Sequence, residues 1–284
     1  MKFSILIANY NNGRYFKDCY ESILAQRHQD WEVIIVDDKS TDDSIEIIKA
    51  LIKDDNRFSL FENEDNKGCG FTKRKCATLV NGEIAGFLDP DDALTFDAIE
   101  LMEIAHLQNP HASLVHSTFY YCDEQLNIKE EYKNAEKVGV NDRFTNLHGK
   151  VTAFSTYKMS HYLKTQGIDK NLMRAVDQDI YLKLSETGDF FFIDKPLYKY
   201  RIHSSGIASA NADRALFWFL KVIANAEERR SVNLEDEVAQ FLNRTDPNNL
   251  HINLANPRYL ILGMIKAFKK GPGKFFKKLF LNKY

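Results

Sequence analysis

The chain reads as an α/β fold built on a doubly wound, mainly parallel sheet. Three observations carry that reading. Short apolar runs recur at Phe3 to Ala8, Val33 to Val36, Phe58 to Phe61, Ile84 to Leu88 and Leu114 to Tyr121. Helix-like stretches lie between them, a spacing that implies right-handed βαβ units. The polar loops after the runs hold the unusual residues, as expected where an open α/β sheet binds ligands at the carboxyl ends of its strands.

The first run opens into Asn9-Tyr10-Asn11-Asn12-Gly13 and the second into Asp37-Asp38-Lys39-Ser40. A helix is expected over Asp42 to Lys53, with Ile45, Ile48, Leu51 and Ile52 on one face. Asp42 and Asp43 stand in its first turn, where the helix dipole favours negative charge. The Asn81-Gly82 turn signal precedes Ile84 to Leu88, and Asp89-Pro90-Asp91-Asp92 follows it, with a helix expected from near Ala93 or Thr95. Asp123 to Lys150 is polar and weakly periodic and carries no firm element. Thr156 to Thr165 and Asp177 to Thr187 read as helices, Phe190 to Ile193 and Leu197 to Tyr200 as short strands. The chain reads as helical from Asn211, with Ala215 to Leu220 as a buried or interface face.

With 284 residues, 44% of them apolar, the chain has ample material for a sizeable core. A net charge of −2 gives no global field for nucleic acid. Cys19, Cys69, Cys76 and Cys122 show no CxxC or metal spacing, as expected of reduced thiols in a cytoplasmic protein. The apolar run at Met1 to Ala8 is too short for a signal peptide, and no stretch has the length of a membrane span. Arg258 to Tyr284 carries eight Lys or Arg and no acid, interleaved with apolar and aromatic residues. Such a segment, 257–284, suits an anionic membrane surface, or else packs as a helix with its lysines in water. The first loop lacks GxGxxG and the chain lacks GxxxxGK[ST], which argues against a dinucleotide-binding oxidoreductase and a P-loop enzyme.

Asp89, Asp91 and Asp92 place three carboxylates at one strand end. They repel one another unless a cation neutralises them, and their hard oxygens suit Mn²⁺ or Mg²⁺ held against phosphates. The alternative is a solvated turn that caps the next helix.

Five segments, in order, resemble a known family. They are Ser4 to Asn11, Glu32 to Asp42, Phe87-Leu88-Asp89-Pro90-Asp91-Asp92, Asp177 to Leu184 and Tyr198-Lys199-Tyr200-Arg201-Ile202-His203. Together they are similar to the family 2 glycosyltransferases of GT-A fold. The resemblance implies a catalytic domain over 1–205, with a nucleotide-binding half at 1–122 and an acceptor half at 123–205, followed by a helical C-terminal extension at 206–284 ending in the basic tail. It implies an inverting, metal-dependent transfer of a hexosyl or N-acetylhexosaminyl group from a nucleotide-sugar, UDP-linked by preference, to the hydroxyl of a glycan or lipid-linked glycan. Cell-surface polysaccharide synthesis at the inner face of the membrane is the expected setting, with a homo-oligomer as a further expectation.

By the same resemblance Asp177 is the expected general base. Ala8, Asn9, Tyr10, Asn11, Asp38, Lys73, Arg74, Asp89 and Arg201 are expected to bind the nucleotide-sugar, and Asp91, Asp92 and His203 the metal. His148-Gly149-Lys150 is a candidate acceptor contact, and Asp179 a structural acid. Two departures stand out: Val176 replaces the first acid of the usual Glu-Asp pair, and Lys73-Arg74 replaces an Arg-Asn pair. The missing acid leaves open a rival reading, a catalytically silent glycan-binding or scaffold subunit.

Overall fold

A computed structural model describes residues 1–139, 149–203 and 212–232. The tail at 257–284 and His148 lie outside the described residues. The chain divides into two compact units, Met1–Ile207 and Ala208–Tyr284.

The first unit begins with β1 (Phe3–Asn9), α1 (Gly13–Leu24), β2 (Trp31–Asp37), α2 (Ser44–Ile52), β3 (Phe58–Glu62), α3 (Cys69–Thr78) and β4 (Ile84–Phe87). It continues through β5 (Ala93–Leu94), α4 (Ala98–Gln108), β6 (Ala112–Cys122), β7 (Ile128–Glu131), β8 (Ser155–Lys158), α5 (Met159–Tyr162), α6 (Val176–Leu184) and β9 (Asp189–Arg201). The strands form one sheet in the order β3-β2-β1-β4-β8-β6-β9-β5, with β7 on β6.

β1, β2, β3 and β4 are parallel neighbours, so the loops after β1, β2 and β4 emerge at one edge. The apolar runs of β1, β2 and β4 are buried on both faces, as helix-covered parallel strands must be. Phe3, Ile5, Ile7, Val33, Ile35 and Ile84 meet the apolar faces of α1 and α4 in one core. Gly13 opens α1 with no side chain because none fits: a Cβ there would stand 2.4 Å from the Ser44 Cα of α2.

The other half differs from the expectation of a mainly parallel sheet. β8 runs antiparallel to both β4 and β6, while β6 and β9 are parallel, so the sheet is mixed. Thr156 to Thr165 is therefore a central strand followed by the single turn α5, not a helix. All four residues of β8 are buried, and a short strand enclosed on both faces has no period to betray it. Phe190 to Ile193 and Leu197 to Tyr200 join in one long strand, β9, which steps past β6 through register shifts. After the aspartate cluster the chain first pairs as β5 with β9, and α4 starts only at Ala98.

The second unit contains α7 (Ala212–Arg230). Of the Ala215 to Leu220 run, Phe217, Trp218 and Phe219 are half-buried and Leu220 is buried; the buried face continues through Val222, Ile223 and Ala226. No helix among the described residues is long and apolar enough to cross a membrane.

Candidate active site

The carboxyl edge of β1, β2 and β4 carries the site, and its first layer is a set of loops fixed by their own polar groups. Asn9 donates from Nδ2 to Asp37 Oδ2 at 2.7 Å, and Asp37 also accepts from the backbone N–H and hydroxyl of Ser40. Asn11, at φ 54°, accepts from the Thr41 N–H at 2.8 Å. Asn9 and Asn11 thus brace the loop, while half-buried Ala8 and the exposed Tyr10 ring face outward.

Asp38 is buried and closes the next loop. It accepts from Asn63 Nδ2 and from the backbone N–H groups of Lys67 and Gly68, each at 2.8 Å. A carboxylate offers about four lone-pair positions, so about one is left for a ligand N–H. Asn63, at the end of β3, was not anticipated. A polar residue closing a strand, as Asp37 closes β2, was the signal available.

Deeper in the cleft the fold joins residues far apart in sequence. Asp89 follows β4, Lys73 lies on α3 and Asp177 on the first turn of α6. Lys73 Nζ stands 2.7 Å from Asp177 Oδ1 and 3.8 Å from Asp89 Oδ1, and lies 4.8 Å from the centre of the Phe87 ring. Burial pushes the Lys73 ammonium down, but Asp177 and Asp89 outweigh it and hold it well above the usual lysine range. Asp89 goes the other way. Its side chain is half open to the cleft, yet the low-dielectric walls raise its pKa to about 6, against the pull of Lys73 and with the push of Asp177 and Asp91. These three residues line a narrow cleft, open to solvent, with Phe87, Ala153, Ser155, Tyr157, Ile180, Tyr181 and Tyr198 as its other walls. The aromatic walls Tyr157, Tyr181 and Tyr198 were not expected at the site.

α6 is held firmly under Asp177. Ala175 enters the helix in the left-handed region at φ 57°, and its carbonyl accepts from the Asp179 N–H. Asp179 is buried against Lys183, whose Nζ also donates to the Gly167 carbonyl at 2.8 Å. Arg74 does not reach the cleft. It donates to the Ile168 and Gln166 carbonyls, which corrects its expected place on the nucleotide-sugar.

Three further expectations concern the aspartate cluster, and the structure separates them. Asp91 Oδ2 lies 2.9 Å from His203 Nε2, and the imidazole packs against the Tyr15 ring. Asp92 points inward and is 2% exposed, accepting from the Tyr198 hydroxyl at 2.7 Å and the Arg201 N–H at 2.8 Å. Burial, then the charges of Asp91 and Asp89, push its carboxyl well above the usual range. Asp92 is buried and each of its oxygens already accepts a hydrogen bond, so it braces the loop from the inner side and does not face the cleft. Arg201 is likewise corrected: its guanidinium, 2% exposed, donates to the Asp91 carbonyl, the Glu124 carbonyl and Asp18 Oδ2, and lies over Tyr15. It holds the cluster from behind and has no open face for a diphosphate.

Among the described residues no three His, Cys, Asp or Glu side chains converge as a ready cage for a metal. Asp91, whose side chain is 19% exposed and is held by the buried His203, still fits as a carboxylate ligand of one divalent ion of the Mn²⁺ or Mg²⁺ kind. Such ions are commonly held by one or two carboxylates and take their other ligands from water and substrate phosphates.

The sequence model for "Glycosyl transferase family 2" matches residues 4–164. A chondroitin synthase of Escherichia coli is 31% identical over 211 residues, a match that covers 74% of this chain and 30% of that one. The chain therefore spans under a third of that relative's length. Among solved structures, S. aureus TarS residues 1–349 in complex with UDP-GlcNAc superposes with a TM-score of 0.74 at 19% identity, covering 93% of this chain and 80% of that one. A mannosyltransferase of Pyrobaculum calidifontis, in complex with GDP-Man and Mn²⁺, gives 0.56 at 14% identity and covers 94% and 69%. With more than half of its length matched by the family's own sequence model and its sheet shared with such enzymes, the chain belongs to glycosyl transferase family 2 and has the GT-A fold.

Proposed function

We propose that the chain transfers a hexose or N-acetylhexosamine, with inversion, from a UDP-sugar to a hydroxyl of a glycan or lipid-linked glycan, in polysaccharide synthesis. The observation that carries this reading is the meeting of Asp177 and Asp89 in one cleft. A donor site and an acceptor site must share such a cleft. The UDP-GlcNAc complex of TarS and the name of the chondroitin synthase support the donor and the product class.

In this reading Tyr10 and the loop organised by Asp38 flank the base of the nucleotide, and Asp89 reaches the ribose. Asp91, held by His203, would be the residue to take a divalent cation there. When bound, that cation supplies Lewis-acid neutralisation of the leaving diphosphate. Asp177 takes the acceptor hydroxyl proton through the oxygen not engaged by Lys73. The acceptor oxygen then bonds to the anomeric carbon as the bond from that carbon to the diphosphate oxygen breaks. The electron pair leaves with the nucleoside diphosphate. Attack from the face opposite the diphosphate inverts the centre.

The reading is tested by thermal shift with UDP, GDP, dTDP and CMP, each with Mn²⁺ and with EDTA, on the wild type and Asp91→Ala. The expected result is a metal-dependent rise with UDP that the variant loses. No rise with any nucleotide, from a folded sample, would favour the silent scaffold. Donor turnover should fall about 10²- to 10⁴-fold in Asp177→Asn, the usual range for loss of a general base.

A further inference from the structure

We propose that Lys73 is a positioning residue for the base, holding the Asp177 carboxylate in place, and is not a ligand of the donor phosphates. The inference rests on the reading of Asp177 as the base and deepens it.

The ammonium is built into the fold. Its side chain is 7% exposed, and two of its directions are taken by Asp177 Oδ1 at 2.7 Å and Asp89 Oδ1 at 3.8 Å. A phosphate-binding lysine works as a reachable point charge, whereas this one is enclosed by two carboxylates and the Phe87 ring.

The helix that carries it is locked to the segment that leads into α6. The Gly70 N–H of α3 donates to the Leu172 carbonyl at 2.9 Å, and a Cβ on Gly70 would lie 2.4 Å from that oxygen and 2.5 Å from the Asp169 carbonyl oxygen. Arg74, the next residue of α3, ties to the Ile168 carbonyl at 2.7 Å. α3 and the approach to α6 thus form one framework, with Lys73 as its ionic link to Asp177.

The arrangement has a definite use. Asp89 and Asp177 line one cleft, and without the ammonium their charges would repel across it. With Lys73 on Oδ1, Asp177 is fixed by one oxygen and keeps Oδ2 for the acceptor proton. Val176 stands before Asp177 on α6, so no acid precedes the base there, and the link from α3 is what orients it.

The test uses the full chain and follows UDP release from UDP-GlcNAc, UDP-GalNAc, UDP-Glc and UDP-Gal. It compares the wild type with Lys73→Met, Lys73→Arg, Asp177→Asn and the Lys73→Met/Asp177→Asn double variant. For the sugar that the wild type cleaves, Lys73→Met should lower kcat about 10²-fold or more, within the range of a mispositioned base. The donor KM should stay within about threefold, and the UDP-induced thermal shift should be kept. Lys73→Arg, which keeps the charge, should recover part of kcat. Adding Lys73→Met to Asp177→Asn should cost little more, because residues that act as a unit are not additive.

A rise in KM with kcat unchanged, or loss of the UDP shift in folded Lys73→Met, would make Lys73 a donor ligand and overturn the proposal. So would full additivity in the double variant. The double-variant comparison decides even if the single methionine variant is less stable, because it is read against a background that already lacks the base. Normal turnover in Asp177→Asn would overturn the base assignment itself, a different failure from either of these.

Discussion

The two edges of the parallel half-sheet each carry acid chemistry, and they treat it in opposite ways. At the amino edge Glu32 of β2 accepts from the Ser4 hydroxyl at 2.6 Å and the Asn81 N–H at 2.7 Å, and pairs with Lys2 at 2.9 Å. Burial raises its carboxyl, but the bonds from Ser4, Lys2 and Asn81 outweigh burial and bring its pKa to about 2. Gly82 completes the clasp, since a Cβ there would lie 2.7 Å from the Lys2 carbonyl oxygen. At the carboxyl edge Asp89 meets two other carboxylates and a single ammonium, and its pKa rises to about 6. One edge satisfies its acid, and the other leaves acids in tension over an open cleft. Sites that bind charged ligands are commonly held in such a strained state at some cost in stability.

The largest effect is expected beneath the cleft, where Arg201 and Asp92 make a satisfied layer under the unsatisfied one. Arg201→Met should cost about 3–4 kcal/mol, because the Asp91 and Glu124 carbonyls and Asp18 all lose a charged donor, at roughly 1.5–3 kcal/mol for each such hydrogen bond where it is well buried and less at the 46% exposed Asp18. Urea unfolding would measure it. A variant as stable as the wild type but without the UDP-induced shift would return Arg201 to the ligand and blur the boundary between the two layers.

Glu32→Gln should cost less, about 1.5–3 kcal/mol near neutral pH, the range for hydrogen bonds to a charged group. Turnover should be unchanged. A carboxyl whose folded pKa is depressed stabilises above its unfolded value, here 4.5, and loses that contribution as pH falls toward about 2. Unfolding curves of wild type and variant should therefore converge between about pH 4.5 and 2. A constant gap across that window would mean that packing, not charge, holds the amino edge.

Much of this contrast was legible in the sequence, but only as far as strand ends reveal it. The apolar runs located β1, β2, β3, β4 and β6, and parallel order then gathered Asn9, Asp38 and Asp89 at one edge. The direction of β8 was not legible, because Ser155 to Lys158 is enclosed by β4 and β6 and shows no alternation. Nor was the division of labour among Asp89, Asp91 and Asp92. Spacing puts three acids in a turn, but the turn's geometry decides which one faces the cleft, which meets His203 and which is buried against Tyr198. The Lys73–Asp177 pair spans 104 positions, and local pattern carries no trace of contacts at that range.

The smallest effect should have the opposite sign. Asp89→Asn removes one of the carboxylates that repel across the cleft and keeps a side chain of the same shape. It forfeits only the longer of the two Lys73 contacts, at 3.8 Å, while Lys73 retains Asp177 at 2.7 Å. The Asp89 side chain is 47% exposed, so solvent screens much of its unfavourable energy and the gain should stay below about 1 kcal/mol. That corresponds to a rise in Tm of a few degrees at most for a chain of this size, measured near neutral pH in EDTA. Donor turnover should collapse in the same variant. Stability that rises as activity falls is the signature of a residue kept for chemistry, and Glu32→Gln should show the reverse. If Asp89→Asn instead unfolds as readily as Glu32→Gln, both edges are structural, and the tension at the carboxyl edge has no functional meaning.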